Sequence, residues 1–397
     1  MTEKSPRICI LGGGFGGLYT ALRLSQLPWE KDQKPEITLV DRHDRFLFTP
    51  LLYELITGEL QTWEIAPPFS EILANTNIRF ERGVADKIDL EAKTVYLGDR
   101  PSIFYDYLVM ALGGETPLDL VPGAKEYTLP FRSLTDVYLL EERLRVLEAS
   151  VTDKIRVAVV GGGYSGVELS CKIADRIGKR SRIRIIEQAS QILQTSSVFN
   201  RTAAEQALSE RQVWLDLETQ VQEITSDSIS LSYKGQVDTI PVDLVLWTVG
   251  TRVSPLVRSL PLKQNQKGQL ITTTTLQTAE NPRIFALGDL AECYDASGQQ
   301  VPGTAQVALQ QSDYVAWNIW AQISNRPLLP FRYVNLGEMM TLGKDNATLS
   351  GLGVQLKGSV AQTIRRLTYL YRMPNTNHQL KVGFNWVNQP FLELLRF

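Results

Sequence analysis

Residues 8–17, ICILGGGFGG, decide the fold class, because a short apolar run leads directly into a glycine-rich turn. A helical pattern follows and stops near Pro28, and the apolar run 37–41 then ends in an acid. Glycines at such a turn let the backbone approach a pyrophosphate at the helix N-terminus, and the terminal acid can accept hydrogen bonds from a ribose. The stretch therefore predicts a complete β-loop-α-β unit that binds a dinucleotide.

A second copy of this pattern begins at residues 157–166, VAVVGGGYSG, and ends with the run 182–187 and its terminal acid Glu187. Two glycine motifs that are each framed by strand, helix and acid predict an α/β protein with two Rossmann-type dinucleotide-binding domains. Two dinucleotides in one chain suggest an electron donor and an acceptor. FAD with NADH or NADPH is the simplest pair, since a nicotinamide can pass hydride to a flavin.

Composition excludes several other classes of protein. The chain has 397 residues with a net charge of -2, which suggests two or three domains and gives no basic field for nucleic acid. A strand pattern begins almost at once, at Arg7, so we expect no signal peptide, and no apolar run is long enough to predict a transmembrane helix. The two histidines lack neighbours suited to a metal site, so no metal is predicted.

Three further segments, 107–113 (YLVMALG), 244–250 (LVLWTVG) and 285–289 (FALGD), follow the glycine motifs in the order typical of one superfamily. The chain resembles the two-dinucleotide-binding flavoproteins, in which the first motif holds FAD and the second holds the nicotinamide nucleotide. Residues 48–54 (FTPLLYE) and 305–311 (AQVALQQ), with GVEL after the second glycine turn, resemble the type II NAD(P)H:quinone oxidoreductases, or alternative NADH dehydrogenases.

The C-terminal region of the chain is most similar to the cyanobacterial and plastid, demethylphylloquinone reductase-like branch of that family. This resemblance implies hydride transfer from NAD(P)H to FAD and then transfer of two electrons to a membrane quinone, without proton pumping. The quinone would be a naphthoquinone such as demethylphylloquinone, or a plastoquinone. The implied domains are an FAD-binding domain in two parts (1–120 and 261–330), a connector (121–150), an NAD(P)H-binding domain (151–260) and a C-terminal quinone and membrane-interface region (331–397).

The candidate cofactor-binding residues lie in the glycine loops, at strand ends and in the segments that carry the resemblance. They are Gly12, Gly14, Phe15, Gly16, Gly17, Asp41, Arg42, Thr49, Pro50, Ala111, Gly113, Gly161, Gly163, Tyr164, Ser165, Gly166, Glu187, Gly250, Gly288, Asp289 and Ala305. Glu187 favours NADH, because its charge would repel the extra phosphate of NADPH, whereas the nearby Arg182 and Arg184 could offset that repulsion. Both coenzymes therefore stay open.

Three residues are candidates for catalysis. Glu168 lies where the family places a carboxylate near the nicotinamide and flavin, and it could relay a proton; the alternative is a first-turn acid stabilised by the helix dipole. Thr304 can cap a helix on which Gln306 and Gln310 share one face. A glutamine amide can bond a quinone in either redox state, because it both donates and accepts hydrogen bonds.

The tail from residue 357 onward combines basic with aromatic and leucine residues, which is typical of a segment lying in a membrane interface. Its basic residues are Lys357, Arg365, Arg366, Arg372, Lys381 and Arg396, and its apolar end includes Phe391, Leu392, Leu394, Leu395 and Phe397. We therefore expect a peripheral protein on the cytoplasmic face of a thylakoid or plasma membrane. The alternative for this tail is packing on the FAD-binding domain or against a homodimer partner.

Other functions remain open from the residues alone. Cys9, Cys171 and Cys293 are widely separated, which argues against a disulfide reductase or a sulfide:quinone reductase, since both need paired cysteines. A flavin- and nicotinamide-binding redox sensor with slow turnover is one alternative. A reductase of a small iron-sulfur electron carrier is another, and it would need a basic docking surface.

Overall fold

The computed structural model describes residues 5–30 and 33–394, with side chains up to residue 388. The chain divides into two compact units built from interleaved segments. Unit 1 takes its residues from Met1–Phe46, Ala66–Glu115 and Thr251–Val334, and unit 2 from Leu47–Ile65, Thr116–Gly250 and Asn335–Phe397. The sequence assigned the segment Leu47–Ile65 to the FAD-binding domain and gave the C-terminal residues a region of their own. In the structure both are parts of unit 2.

The strands are β1 (Arg7–Leu11), β2 (Glu36–Asp41), β3 (Ile78–Arg82), β4 (Lys87–Asp89), β5 (Thr94–Leu97), β6 (Arg100–Phe104), β7 (Tyr107–Met110), β8 (Leu129–Pro130), β9 (Ile155–Val160), β10 (Ser181–Ile186), β11 (Trp214–Asp216), β12 (Thr219–Ile224), β13 (Ser228–Tyr233), β14 (Gln236–Pro241), β15 (Leu244–Trp247), β16 (Leu270–Ile271), β17 (Ile284–Ala286), β18 (Ala291–Glu292), β19 (Glu338–Thr341), β20 (Ala347–Gly351) and β21 (Val354–Gly358). The helices are α1 (Phe15–Gln26), α2 (Thr62–Ile65), α3 (Phe69–Ile72), α4 (Ala124–Tyr127), α5 (Leu134–Ala149), α6 (Tyr164–Ile177), α7 (Val198–Glu210), α8 (Pro255–Arg258), α9 (Ala305–Ile323), α10 (Ser359–Arg372) and α11 (Thr376–Leu394). Short 3-10 helices cover Thr49–Leu55, Gly178–Arg180 and Gly288–Leu290.

Unit 1 is built on a parallel sheet with the strand order β17-β7-β1-β2-β3. Ile8 on β1 pairs with Ile37 on β2 and with Tyr107 on β7, so the first predicted β-loop-α-β unit lies at the middle of the sheet. Helices α1 and α9 pack together, and the antiparallel sheet β4-β5-β6 shares a buried apolar cluster with β1 and β7. The central strands are thus covered, as their continuous apolar runs require.

Unit 2 repeats the plan with the parallel order β11-β10-β9-β15-β8. The antiparallel sheet β12-β13-β14 contributes Ile224, Ile229 and Leu231 to a cluster with Val245 and Trp247 of β15. A third sheet, β19-β20-β21, supports α10, which packs on β20 and β21. None of the helices in the part of the chain that the structure describes has the length and apolar character needed to cross a membrane.

The two glycine motifs make the same close contact in their respective units. A Cβ atom on Gly17 would overlap the carbonyl oxygen of Gly12, and a Cβ atom on Gly166 would overlap that of Gly161. Only glycine fits at either position, because each helix begins directly against its loop. The predicted α/β fold with two Rossmann-type units is confirmed.

Candidate functional site

Each predicted acid at the end of the second strand closes its own glycine loop. In unit 1, Asp41 accepts hydrogen bonds from the backbone N-H of Gly13 (2.6 Å) and of His43 (2.7 Å). In unit 2, Glu187 accepts from the N-H of Gly162 (2.7 Å) and of Ala189 (2.8 Å). Each acid is therefore tied by hydrogen bonds to the glycine loop of its own unit.

Charge at Asp41 is favoured by its surroundings. Burial by itself would raise the pKa of the Asp41 carboxyl, but the hydrogen bonds from His43 and Gly13 outweigh it and hold the pKa below its ordinary value. Asp41 is consequently ionised at neutral pH. An ionised carboxylate is the form that accepts hydrogen bonds from ribose hydroxyls.

The other predicted residues of unit 1 gather at the carboxyl ends of its parallel strands. Ala111 and Gly113 follow β7, and Gly288 and Asp289 follow β17, which pairs with β7. Ligands of open parallel sheets bind at this edge. The backbone N-H of Gly288 donates to the amide oxygen of Gln311 at 2.8 Å, a contact that sequence reasoning missed.

Helix α9 begins as predicted, since the hydroxyl of Thr304 accepts the N-H of Val307 at 3.3 Å. Gln306 accepts a hydrogen bond from the hydroxyl of Tyr333 at 3.0 Å. Both amide atoms of Gln310 bond the backbone of Val334, at 2.9 and 3.0 Å. Gln310 thus holds the chain after α9 with one of its two N-H groups and one of the two acceptor sites of its oxygen.

In unit 2 the second glycine loop leads into α6, whose first residues are Tyr164 and Ser165. The hydroxyl of Ser165 lies 3.0 Å from that of Tyr53, on the Thr49–Leu55 segment. Thr49 and Pro50, predicted to bind a cofactor, belong to the same segment and therefore to unit 2. Gly16 and Gly17, named with them, lie in unit 1.

Glu168 is the fifth residue of α6, beyond the first turn in which a helix dipole favours an acid. Its carboxylate accepts the backbone N-H of Thr341 on β19 at 2.9 Å. Burial raises the pKa of Glu168 to about 7, against the opposing effects of Arg365 and of the Thr341 N-H. Glu168 can therefore take up and release a proton at physiological pH, as a proton relay requires.

A buried group of ion pairs lies around Glu168 within unit 2. Arg365 pairs with Glu54, and both side chains are 0% exposed. Lys172 pairs with Glu59, and Glu59 also accepts from Arg366 at 3.0 Å. Burial would raise the pKa of Glu54, but Arg365 and Lys172 hold that pKa below its ordinary value.

These contacts correct one prediction for the C-terminal tail. Arg365 and Arg366 were expected to meet lipid head groups, whereas Arg365 is fully buried and Arg366 pairs with Glu59. The prediction was wrong for Arg365 because its neighbours in sequence do not reveal a partner on a distant segment. The large apolar and aromatic side chains of the same helices are exposed. They are Leu367 and Tyr371 on α10 and Leu380, Phe384 and Val387 on α11. Phe391, Leu392, Leu394, Leu395, Arg396 and Phe397 lie outside the described side chains.

Helix α11 also has a buried face that fastens it to unit 2. The Glu64 carboxylate accepts from the indole N-H of Trp386 (2.8 Å) and the amide of Asn385 (3.1 Å). The His378 ring bonds the backbone oxygen of Glu64 at 2.8 Å. The helix is thus both a packed part of unit 2 and the carrier of an exposed apolar face.

The three cysteines form no disulfide. Cys9, Cys171 and Cys293 are each free and buried. Burial raises the pKa of the Cys171 thiol to about 12 and that of Cys293 to about 11. Thiols of such high pKa stay protonated near neutral pH, and they are poor nucleophiles because the thiolate is the reactive form.

The residues present fit one dinucleotide in each unit. Helices α1 and α6 each begin at a glycine N-cap, Gly14 and Gly163, and carry no acidic residue in the first turn. A Cβ atom placed on either glycine would meet open space. Each helix N-terminus is therefore accessible and electrostatically suited to a pyrophosphate, with an acid nearby for a ribose.

Comparison with known proteins agrees with this geometry. The family model described as pyridine nucleotide-disulphide oxidoreductase matches residues 6–312. The chain is 56% identical over 400 residues to demethylphylloquinone reductase NdbB of Synechocystis sp., covering 100% of this chain and 99% of the relative. It is 44% identical over 421 residues to the alternative NAD(P)H-ubiquinone oxidoreductase C1, chloroplastic/mitochondrial, of Arabidopsis thaliana, covering 97% of this chain and 81% of the relative.

Among solved structures, NDH2 from Plasmodium falciparum in complex with NADH superposes with a TM-score of 0.86 at 18% identity, covering 98% of both chains. At that level of identity the likeness establishes a shared fold. The chain therefore belongs to the pyridine nucleotide-disulphide oxidoreductase family and, within it, to the type II NAD(P)H:quinone oxidoreductases.

Proposed function

We propose that this protein oxidises NAD(P)H and reduces a membrane naphthoquinone of the demethylphylloquinone type. The balanced reaction takes NAD(P)H, one proton and the quinone to NAD(P)⁺ and the hydroquinone. The observation that carries it is the presence of a complete dinucleotide cradle in each unit. The naphthoquinone assignment is supported by 56% identity, over the whole chain, to a relative named demethylphylloquinone reductase.

Residues of unit 1 would hold FAD, with the pyrophosphate at the N-terminus of α1 and a ribose at Asp41. Residues of unit 2 would hold NAD(P)H in the same manner, at α6 and Glu187. Bound there, FAD would supply the redox chemistry, as acceptor of hydride from the nicotinamide and donor of two electrons to the quinone. The protein's own contribution is to bind and orient both nucleotides and to supply a proton to the quinone oxygen.

Glu168 is the residue that we assign to this proton. Its buried carboxyl is half protonated near neutral pH, because burial raises its pKa to about 7. A group with that pKa can donate a proton to the quinone and regain one from water without a large free-energy cost. Gln306 would bond a quinone carbonyl, and Gln310 would hold the segment that carries Tyr333 and Val334.

For the coenzyme, we propose a preference for NADH. Both carboxylate oxygens of Glu187 are fixed by backbone N-H groups, so its charge is held at the ribose end of the cradle. Of the two arginines that could have offset that charge, Arg184 pairs with Asp216 at 3.2 Å and lies over the Trp214 ring. The other, Arg182, donates to the backbone oxygen of Ser181 at 2.9 Å. A 2′-phosphate would therefore meet the carboxylate without help from Arg184.

We also propose that the exposed faces of α10 and α11 attach the protein peripherally to the cytoplasmic face of a membrane. The two helices approach each other at Leu370 and Gly383, and their exposed apolar side chains include Leu380 (66%) and Phe384 (73%). Lys381, on the same helix, is exposed beside them. Apolar residues flanked by basic ones suit a lipid interface that contains anionic head groups.

A recolouring experiment tests the reaction. Purified yellow protein is bleached with NADH or NADPH under anaerobic conditions, and a short-chain naphthoquinone is then added. We expect the flavin absorbance to return within seconds, with NADH bleaching faster than NADPH. Slow recolouring with every quinone would favour the redox sensor, and rapid recolouring only with an iron-sulfur carrier, abolished by salt, would favour the carrier reductase.

Vesicle flotation tests the attachment. Leu380→Ser/Phe384→Ser is expected to lose binding to anionic phospholipid vesicles while keeping NADH-dependent bleaching. The control is Leu139→Ser/Val146→Ser, which changes two residues of α5 that are 46% and 57% exposed. Unchanged flotation of the first variant would refute the attachment, and a dimer-to-monomer change in light scattering would instead support the homodimer.

A further inference from the structure

Arg365 lies between two carboxylates of unit 2. One guanidinium nitrogen bonds Glu54, and the other lies 3.9 Å from the Glu168 carboxylate and donates to the backbone oxygen of Pro50 at 2.6 Å. Arg365 and Glu54 are both fully buried, and the Arg365 guanidinium lies 5.0 Å from the centroid of the Tyr369 ring. The cation is therefore held on several sides, in direct contact with Glu54 and 3.9 Å from Glu168.

The two carboxylates compete for this one cation. Glu54 has the direct contact, so the positive charge that reaches Glu168 is partly cancelled by the negative charge of Glu54. An opposite charge within about 4–6 Å favours the ionised form of a carboxyl by roughly 1–3 pKa units, and a like charge opposes it. Glu54 thus weakens the hold of Arg365 on an ionised Glu168.

Among the described residues, the other titratable groups that act on Glu168 do not replace Glu54 and Arg365 in setting the charge that Glu168 meets. They are Lys172 and Cys171 on α6, Tyr164 at its start, Tyr53 on the Thr49–Leu55 segment and Tyr369 on α10. Burial keeps the tyrosine and cysteine groups neutral near pH 7, because it raises the pKa of each well above that value. Lys172 is paired with Glu59, and β19 contributes the backbone N-H of Thr341.

We propose that Glu54 and Arg365 form a positioning pair that sets the pH at which Glu168 exchanges its proton during quinone reduction. Neither residue needs to touch the substrate. The pair acts through charge: Arg365 stabilises the ionised form of Glu168 after its proton has left, and Glu54 limits that stabilisation so that the proton can return. This inference rests on the proposed role of Glu168 as the proton donor.

The pair can be changed in two ways that shift Glu168 in opposite directions. Glu54→Gln removes the competing charge and leaves Arg365 facing Glu168, so the pKa of Glu168 should fall. The double variant Glu54→Gln/Arg365→Met removes both charges, so that burial acts on Glu168 with less opposition and its pKa should rise. The double variant leaves no unpaired charge from the pair, which avoids the main cost of breaking a buried ion pair.

The measurement is the pH profile of naphthoquinone turnover by the FAD-loaded protein. Turnover should decline on the alkaline side as Glu168 loses its proton. We expect Glu54→Gln to move this decline to lower pH, and the double variant to move it to higher pH, each by on the order of one pH unit. A merely structural role would lower turnover equally at every pH and leave the decline where it is.

Two controls separate the possible failures. Asp175→Asn alters another ion pair that starts from α6, that of Asp175 with Arg211, and it should leave the profile in place. Glu168→Gln removes the proton donor, so it should lower turnover at every pH, and the turnover that remains should show no alkaline decline. If the decline persists, the proposed role of Glu168 fails; if it is lost, and the two pair variants leave the profile unmoved, the inference about Glu54 and Arg365 is overturned by itself.

Discussion

Replacing Glu168 with Gln should change the pH dependence of stability as well as that of turnover. Burial raises the pKa of Glu168 from an ordinary value of 4.5 to about 7 in the folded protein. The folded state therefore holds this proton more tightly than the unfolded state. The stability contributed by the group is fully present below pH 4.5 and is lost as the pH rises through about 7.

The size of the effect follows from that difference. At about 1.4 kcal/mol per pKa unit, the ionised group costs the folded protein about 3 kcal/mol above neutral pH. Gln resembles the protonated acid and still offers an oxygen to the Thr341 N-H, so it avoids this cost. Glu168→Gln should exceed the wild type by about 1 kcal/mol at pH 5 and by about 3 kcal/mol at pH 8. The larger difference raises the melting temperature of a domain of about 150–250 residues by roughly 6–12 °C.

Differential scanning fluorimetry of the FAD-saturated proteins between pH 5 and pH 8 measures this difference. The matched control is Glu142→Gln, which removes an exposed glutamate from α5 and should give a difference that does not vary with pH. Other titrating groups are common to each pair of proteins and cancel in the comparison. A difference between Glu168→Gln and the wild type that stays constant with pH would refute the reasoning, because it would mean that burial does not raise this pKa.

Three further outcomes are expected. Asp41→Ala removes the acceptor of two backbone hydrogen bonds and should weaken FAD retention about 10- to 100-fold, because hydrogen bonds to charged groups contribute about 1.5–3 kcal/mol. Flavin content after gel filtration measures this loss. The control is Asp44→Ala, which changes an exposed acid. Gln311→Ala leaves the Gly288 N-H without its acceptor and should lower the unfolding free energy by about 1–3 kcal/mol in chemical denaturation; an unchanged midpoint would contradict the assigned contact. Glu187→Gln keeps an oxygen for the glycine loop but removes the negative charge. The ratio of kcat/KM for NADPH to kcat/KM for NADH should therefore rise about tenfold, which corresponds to roughly 1.4 kcal/mol. A constant ratio would show that this charge does not discriminate between the two coenzymes.

Much of the fold was predictable because its signals are local. The first glycine turn and Asp41 lie close together in sequence, and the structure joins them by a hydrogen bond from Gly13 across 28 residues. The second copy repeats the bond between Gly162 and Glu187 across 25 residues. The cap of α9 at Thr304 was likewise predictable, since a cap spans only three residues.

The surroundings of Glu168 were not predictable in the same way. Sequence reasoning singled out Glu168, but its neighbours come from β19, α10 and the Thr49–Leu55 segment. An arginine within an aromatic and leucine-rich helix suits a lipid surface as well as a buried ion pair. Burial decides between the two, and burial depends on what packs against the helix.

Gln310 shows the same limit at smaller scale. Its spacing from Gln306 placed both amides on one face of α9, which holds in the structure. The pattern gave no sign that the backbone of Val334, 24 residues later, would take both amide atoms of Gln310. A side chain that can bond a ligand can equally bond a loop, and only the path of the loop distinguishes them.

The sequence by itself determined that this chain builds two dinucleotide cradles, because a strand, a glycine turn, a helix and a terminal acid within about thirty residues leave the backbone little choice. Tertiary structure alone decided that Arg365 is paired with Glu54 across 311 residues and that Glu168 is buried beside them. The physical reason is that the field at a carboxyl depends on charges brought together in space. Those charges come from segments that are distant in sequence, and the local pattern of each segment does not indicate which other segment packs against it.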